Sequence, residues 1–238
     1  MNEEGIRFTV AISTYNVEKY VERAVKSVVN QEFDNFEIII ADDSSTDNTM
    51  EIVNKLKNDK IRVFKTEKNT GTAGGTRNIA IENARGEYII FLDGDDTLYD
   101  NKTLAKIDKI IGEDTPEIVY LGYEDVGQGN KERISDEENS SKKARLICDV
   151  TFSVSSRCWR REFLINNNMK FKTGMYYEDE LYCLKATILS KKTKSAKIKV
   201  FKYYRNREGS VMTKPSIKKC SDWYRMLAEV VDLYEITP

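Results

Sequence analysis

Three carboxylates within four residues, Asp93-Gly94-Asp95-Asp96, follow directly on the apolar run Tyr88-Ile89-Ile90-Phe91-Leu92. A strand sends alternate side chains to the same face, so Asp93 and Asp95 are expected to point into one cleft while Asp96 faces away or opens the next turn. Two hard oxygen ligands on one face suit Mg²⁺ or Mn²⁺, which keeps several waters and completes its shell with phosphate oxygens. Asp and Gly after a strand are also ordinary turn residues, and Asp96 is placed to cap a helix, so the tetrad taken alone supports both readings.

A second acidic group, Glu178-Asp179, precedes Leu181, Leu184, Ala186 and Leu189 and reads as the opening turn of a helix. Acidic residues are favoured there by the helix dipole even without a function. The chain contains no histidine. A general base must therefore come from Asp, Glu, Lys, Tyr or Cys, and Ser-His or Cys-His nucleophilic catalysis is excluded.

These groups need elements to position them. Phe8 to Ile12 is apolar, Val17 to Asn30 carries Val21, Ala24, Val25, Val28 and Val29 at helical spacing, and Phe36 to Ala41 is apolar again. The pattern continues with a helix holding Met50, Ile52, Val53 and Leu56, a strand at Ile61 to Phe64, a helix at Arg77 to Ala84 and a strand at Tyr88 to Leu92. Such alternation predicts a mostly parallel sheet flanked by helices, with ligands beyond the carboxyl ends of the strands. Ser13 to Asn16, Asp42 to Ser45, Asn69 to Gly75 and Asp93 to Asp96 all fall on that rim. Gly71-Thr72-Ala73-Gly74-Gly75 lacks the Gly-Lys-Ser/Thr ending of a triphosphate loop and reads as a flexible turn presenting Arg77. Asp47 reads as the cap of the helix beginning near Thr49.

After about residue 125 the character changes, and Gly127 to Lys143 has no apolar periodicity. Leu181 to Leu189 and Trp223 to Tyr234 look helical and Ile198 to Tyr204 looks like a strand. We expect three regions: an α/β half at 1–124, a second half of the same domain carrying the Glu178-Asp179 group at 125–212, and a helical extension at 213–238. With 238 residues the chain can bury about 70 to 75% of its unfolded surface. A net charge of −1 gives none of the basic field expected of a nucleic-acid partner. Cys148, Cys158, Cys183 and Cys220 form no Cys-x-x-Cys pair, which argues against zinc and fits a reducing cytoplasm. No apolar stretch reaches the roughly 18 to 20 residues that span a bilayer.

In combination these motifs resemble those of family 2 glycosyltransferases with the GT-A fold, a Rossmann-like α/β architecture. The likeness runs from about Phe8 to Met212 on Ser13-Thr14-Tyr15-Asn16, Asp42 to Asp47, Thr76-Arg77-Asn78, Asp93 to Asp96, Tyr177 to Glu180 and Tyr204 to Ser210. The resemblance implies that Thr14 and Tyr15 line a nucleotide pocket, Asp43 binds uracil, Asp93 lies by the ribose and Asp95 holds the metal. It places Arg77 on the phosphate or sugar side, Asp179 as catalytic base and Glu178 as its orienting partner. Trp159 has two readings, an acceptor-side platform and core packing; Arg205 and Arg207 have two, a lid over the donor phosphates and a solvated basic face. Ser13 stands where the family often has proline, and Thr76 where alanine is common.

The implied activity is an inverting, Mn²⁺- or Mg²⁺-dependent transfer of a sugar from a UDP-linked donor to a carbohydrate or glycolipid acceptor. A lipid-linked acceptor would bring the domain to the inner face of the membrane as a peripheral protein. Two alternatives stand beside it: a nucleotidyltransferase, and a non-catalytic nucleotide-sugar-binding subunit.

Overall fold

Odd and even positions of the first strands separate the molecule into two cores. The computed structural model describes residues 5–56, 58–127, 131–133, 153–205 and 216–236. Strands β1 (Phe8–Thr14), β2 (Phe36–Asp42), β3 (Ile61–Lys65) and β4 (Tyr88–Asp93) lie parallel in the order β3-β2-β1-β4. Val10, Ile12, Ile38, Ile40, Ile90 and Leu92 pack on one face against helices α1 (Val21–Val29), α2 (Thr49–Leu56) and α4 (Thr103–Ile111). Ala11, Ile39, Ile89 and Phe91 pack on the other against α3 (Gly74–Asn83), α5 (Arg161–Asn166) and α6 (Glu178–Leu189). β1, β2 and β4 are buried on both faces, which is why they read as continuous apolar runs, whereas the edge strand β3 is only partly buried.

Past β4 the sheet becomes mixed. β8 (Arg157–Arg160) runs antiparallel to both β4 and β6 (Ile118–Val126), and β9 (Thr193–Tyr204) runs parallel to β6. The short β5 (Thr97–Leu98) closes that edge on β9, and β7 (Lys131–Arg133) pairs with β6. Helix α7 (Ile217–Ile236) packs through Met226 and Val230 on Met175, Leu181 and Leu184.

The chain leaves β1 toward β2 and β3, then crosses back to β4 on the other side of β1. The crevice at the carboxyl end of β1 is thus a topological switch point, the place where sheets of this class bind ligands.

One open reading narrows and one expectation changes. Trp159 has no exposed surface: it lies in register between Ile89 and Ile118, donates its indole N–H to the Val154 carbonyl at 3.1 Å and meets Tyr182 edge-on. A ring held between central strands cannot face an acceptor, so its use is core packing. The glycines after Gly71 form a packed helix start. A Cβ on Gly74 would stand 2.5 Å from the Lys172 carbonyl oxygen, and one on Gly75 2.7 Å from the Thr70 hydroxyl.

Candidate active site

The site is built outward from the last residues of β1. Ser13 is in register with Asp93 on one side and Thr14 with Asp42 on the other. The Gly94 N–H donates to the Ser13 carbonyl and the Asp43 N–H to the Thr14 carbonyl, each at 2.8 Å. Both acidic loops are therefore fixed to the same strand end.

Asp42 and Asp43 do different work. Asp42 is fully buried and accepts from the Thr14 hydroxyl, at 3.0 Å, and from the N–H and hydroxyl of Ser45. Thr14 consequently points at Asp42, and Tyr15, 44% exposed, is the residue of that pair open to a ligand. Asp43 takes the Thr70 N–H at 2.9 Å, the Thr70 hydroxyl at 3.1 Å and the Thr66 hydroxyl at 3.0 Å, joining the rim of β2 to the loop before α3. Asn16 and Ser44 hold positive φ angles of 48° and 59°, a conformation that asparagine adopts readily and serine seldom does. Asn16 accepts from the Thr46 N–H, Glu18 from the Asn48 N–H, and Asp47 from the N–H groups of both Thr49 and Glu18. The cap expected of Asp47 is thus present, with a second bond to the neighbouring loop.

The motif Thr76-Arg77-Asn78 ties α3 to three places. The Thr76 hydroxyl meets the Ser13 hydroxyl at 2.9 Å, so the two positions that depart from the family pattern contact each other. Asn78 makes a reciprocal pair with the backbone of Phe171. Arg77, 4% exposed, donates one terminal nitrogen to Asp93 at 3.0 Å and the other to Glu178 at 3.2 Å, with its plane 5.4 Å from the Phe171 ring. Burial alone would favour loss of its proton, but Asp93, Glu178 and Asp179 raise its pKa above the ordinary value.

The two terminal nitrogens of Arg77 serve carboxylates, and the side chain is enclosed between α3, β4 and α6. Asp93, the last residue of β4, continues the face of Phe91 and so reaches α3. Strand alternation ends there: the Asp96 N–H bonds back to the Asp93 carbonyl at 3.0 Å, making a turn. Asp96 is buried and accepts from the Tyr204 N–H at 2.9 Å. Burial, with Asp95 and Asp93 close by, lifts its pKa well above the usual carboxylate range.

Helix α6 brings the second acidic group. Tyr177 precedes it in the left-handed region at φ 64°. Burial and the adjacent Asp179 push the Glu178 pKa up to about 7 against the opposing pull of Arg77. Asp179 is also raised, first by burial and then by Asp93, with Arg77 opposing. Burial and Asp179 raise Glu180 to about 7. The structure therefore joins Arg77, Asp93, Glu178 and Asp179 in one charge cluster. Arg205 donates to the buried Asp125 at 2.5 Å; Arg207 lies outside the described residues. Arg23, on α1, was not legible as a site residue: its guanidinium donates to the Asp95 carbonyl at 2.6 Å, a contact that no motif spacing announces.

The sequence profile described as Glycosyl transferase family 2 matches residues 9–177, well over half of the chain. The chain belongs to glycosyl transferase family 2. Among its relatives, the poly(ribitol-phosphate) beta-N-acetylglucosaminyltransferase TarS of Staphylococcus aureus is 29% identical over 228 residues, covering 93% of this chain and 39% of TarS. The chain thus spans about two fifths of that relative. WfaP of Escherichia coli, a UDP-Glc:alpha-D-GlcNAc-diphosphoundecaprenol beta-1,3-glucosyltransferase, is 44% identical over 88 residues, 37% of this chain and 35% of WfaP. The crystal structure of S. aureus TarS 1–349 in complex with UDP-GlcNAc has a TM-score of 0.82 at 26% identity, covering 94% of this chain and 65% of that one. Family 2 membership and this likeness establish the GT-A type α/β fold and a glycosyltransferase class; neither alternative reading gains support.

Proposed function

We propose that this family 2 chain carries the catalytic site of an inverting transferase that moves a sugar from a UDP-linked donor to an acceptor hydroxyl in polysaccharide or glycolipid synthesis. The observation that carries the proposal is the Arg77 bridge. It holds the Asp93 loop, where the diphosphate belongs, against the start of α6, where a base is needed. TarS is described with UDP-GlcNAc and WfaP as using a UDP-Glc donor and a lipid diphosphate acceptor, which supports the donor and acceptor classes.

Tyr15 lines the nucleotide pocket, and Asp43 accepts a uracil N–H on the oxygen now shared with Thr66. Asp93 lies toward the ribose. Asp179 takes the proton from the acceptor hydroxyl, whose oxygen bonds to the anomeric carbon as the bond from that carbon to the phosphate oxygen breaks. UDP leaves with the electron pair from the opposite face, and the anomeric centre inverts. Glu178, tied to Arg77, orients the carboxylate beside it.

The residues at the turn fit a divalent cation. Among the described residues no group of three or more candidate ligands converges, so a closed protein cage is absent, whereas an open Mn²⁺ or Mg²⁺ site needs only one or two carboxylates with the substrate's phosphates. Asp95 would hold the ion, with Asp93 beside it; when bound, it supplies Lewis-acid charge to the leaving diphosphate. No helix of the described residues is long and apolar enough to cross a membrane; we place the site in the cytoplasm, where a lipid-linked acceptor would draw it to the membrane face.

Transfer from UDP-GlcNAc and UDP-Glc, with donor affinity followed by calorimetry, tests the reading. Asp179→Asn should retain UDP binding and lose turnover by about 10²-fold or more; full activity in that variant removes Asp179 as base.

A further inference from the structure

One stripe of α1 and the residues just beyond it grips the backbone that follows β4. Arg23, Ser27 and Gln31 stand four residues apart. Arg23 donates to the Asp95 carbonyl at 2.6 Å, the Ser27 hydroxyl accepts from the Leu98 N–H at 3.0 Å, and Gln31 meets the Asp100 carbonyl and the Leu104 N–H. The first of these contacts differs from the others because it falls inside the acidic turn. It is also braced from a second direction. The Arg23 guanidinium lies 3.7 Å from the centroid of the Tyr204 ring, and the Tyr204 N–H holds the Asp96 carboxylate.

We propose that Arg23 and Tyr204 form a latch that positions the Asp93–Asp96 turn for the metal–diphosphate complex, making Arg23 a positioning residue of the donor site. The inference rests on the assignment of Asp95 to the metal. Arg23 faces the backbone of Asp95 from the α1 side of the sheet, while Arg77 holds Asp93 from the α3 side, so the turn is clamped on both faces. Tyr204 adds direction: with its N–H on Asp96 and its ring under Arg23, it turns one carboxylate inward and fixes the guanidinium over the turn. A planar guanidinium is required for both the stack and the aimed hydrogen bond, which an ammonium cannot reproduce. The latch touches neither base nor ribose, so its loss affects the cation and the diphosphate while leaving nucleoside contacts intact.

The test is a Mn²⁺ titration at fixed UDP, read by calorimetry, beside UDP binding in EDTA and thermal melting. Arg23→Ala should raise the Mn²⁺ midpoint by about tenfold, the combined loss of a stacked cation and a charged hydrogen bond, with UDP binding in EDTA and the melting temperature unchanged. Arg23→Lys should recover only part of the shift. Tyr204→Leu, which removes the stack but not the Arg23 hydrogen bond, should shift the midpoint in the same direction by less, Tyr204→Phe, which keeps the ring, should behave as the parent, and the double variant Arg23→Ala/Tyr204→Leu should not exceed Arg23→Ala. An unaltered Mn²⁺ midpoint in Arg23→Ala, with binding still abolished by Asp95→Ala, overturns the latch and leaves the donor site standing. Equal weakening with and without Mn²⁺ also overturns it. If Asp95→Ala itself leaves the Mn²⁺ dependence intact, the metal assignment falls and the latch with it.

Discussion

Arg77 and Glu178 are 101 positions apart in the chain, yet their side chains meet at 3.2 Å inside the molecule. The same guanidinium also holds Asp93, so the carboxylates of the two motifs share one cation. Removing it by Arg77→Ala should destabilise the fold by about 3 kcal/mol in urea denaturation, near the lower end for a broken buried pair because Asp93 is partly solvated. Arg77→Lys should recover stability only in part, since an ammonium cannot serve two carboxylates in a fixed fork. Equal stability of the alanine variant would show that the bridge carries no net energy.

Acidification should strengthen the fold and weaken the chemistry. Glu178 and Glu180 titrate at about 7 in the folded chain against 4.5 for an unperturbed group. Between those values the folded state binds more protons than the unfolded one, so stability falls as pH rises from about 4.5 to 7. In the proposed reaction Asp179 must be ionised to accept a proton, and its pKa is also raised, so turnover should fall with acidification sooner than an ordinary aspartate would require. Melting and rate profiles between pH 5 and 8 should slope in opposite directions, and Glu178→Gln should flatten the first.

Gly94 has no room for a side chain. A Cβ there would stand 2.9 Å from the Ser13 carbonyl oxygen, 3.0 Å from the Thr14 methyl and 3.1 Å from Val17. Gly94→Ala must push the acidic turn away from β1, at a cost of about 1–3 kcal/mol. Donor affinity should drop with it. A variant that melts normally and binds UDP with Mn²⁺ as the parent does would show that the turn can relocate freely.

The Ser13–Thr76 hydrogen bond should appear as a coupling between two positions that are ordinarily apolar in the family. Each single change to alanine should cost about 1 kcal/mol, and the double variant less than the sum, because the second removal strands no partner. Strict additivity in denaturant melts would mean that the two hydroxyls are satisfied separately.

The parallel half of the sheet was legible because β1, β2 and β4 are buried on both sides and α1, α2 and α4 each carry a one-sided apolar stripe. Strand bounds at Phe8, Phe36, Ile61 and Tyr88 follow directly. The mixed half was harder to read. Thr193–Tyr204 carries Lys194, Lys197, Lys199 and Lys202 among its apolar residues, so its first half shows no clean alternation, and its partner Ile118–Val126 reveals its register only in three dimensions. The site was legible as motifs and partly misread as geometry. Parity placed Asp93 and Asp95 together, but the turn closed by Asp96 ends the alternation at Asp93. The partners of Arg77 were not legible, because a lone arginine beside a glycine-rich loop gives no sign of a carboxylate 101 residues away. Trp159 shows the same limit, since the two strands that enclose it come from separate stretches of chain.

The clasp between the loops after β1 and β2 has an implication for changing what this site accepts. Asn16, Glu18, Ser45, Thr46, Asp47 and Asn48 bond across the two loops, so neither has an independent shape. A donor preference cannot be transplanted by grafting one of them from a relative: the incoming loop would arrive without its counterpart and leave acceptors such as Asn16 and Glu18 with no donor. Residues 15–18 and 44–49 are bonded as one unit, and on the proposed donor site their specificity is expected to be exchanged, by design or by recombination, only when both travel together.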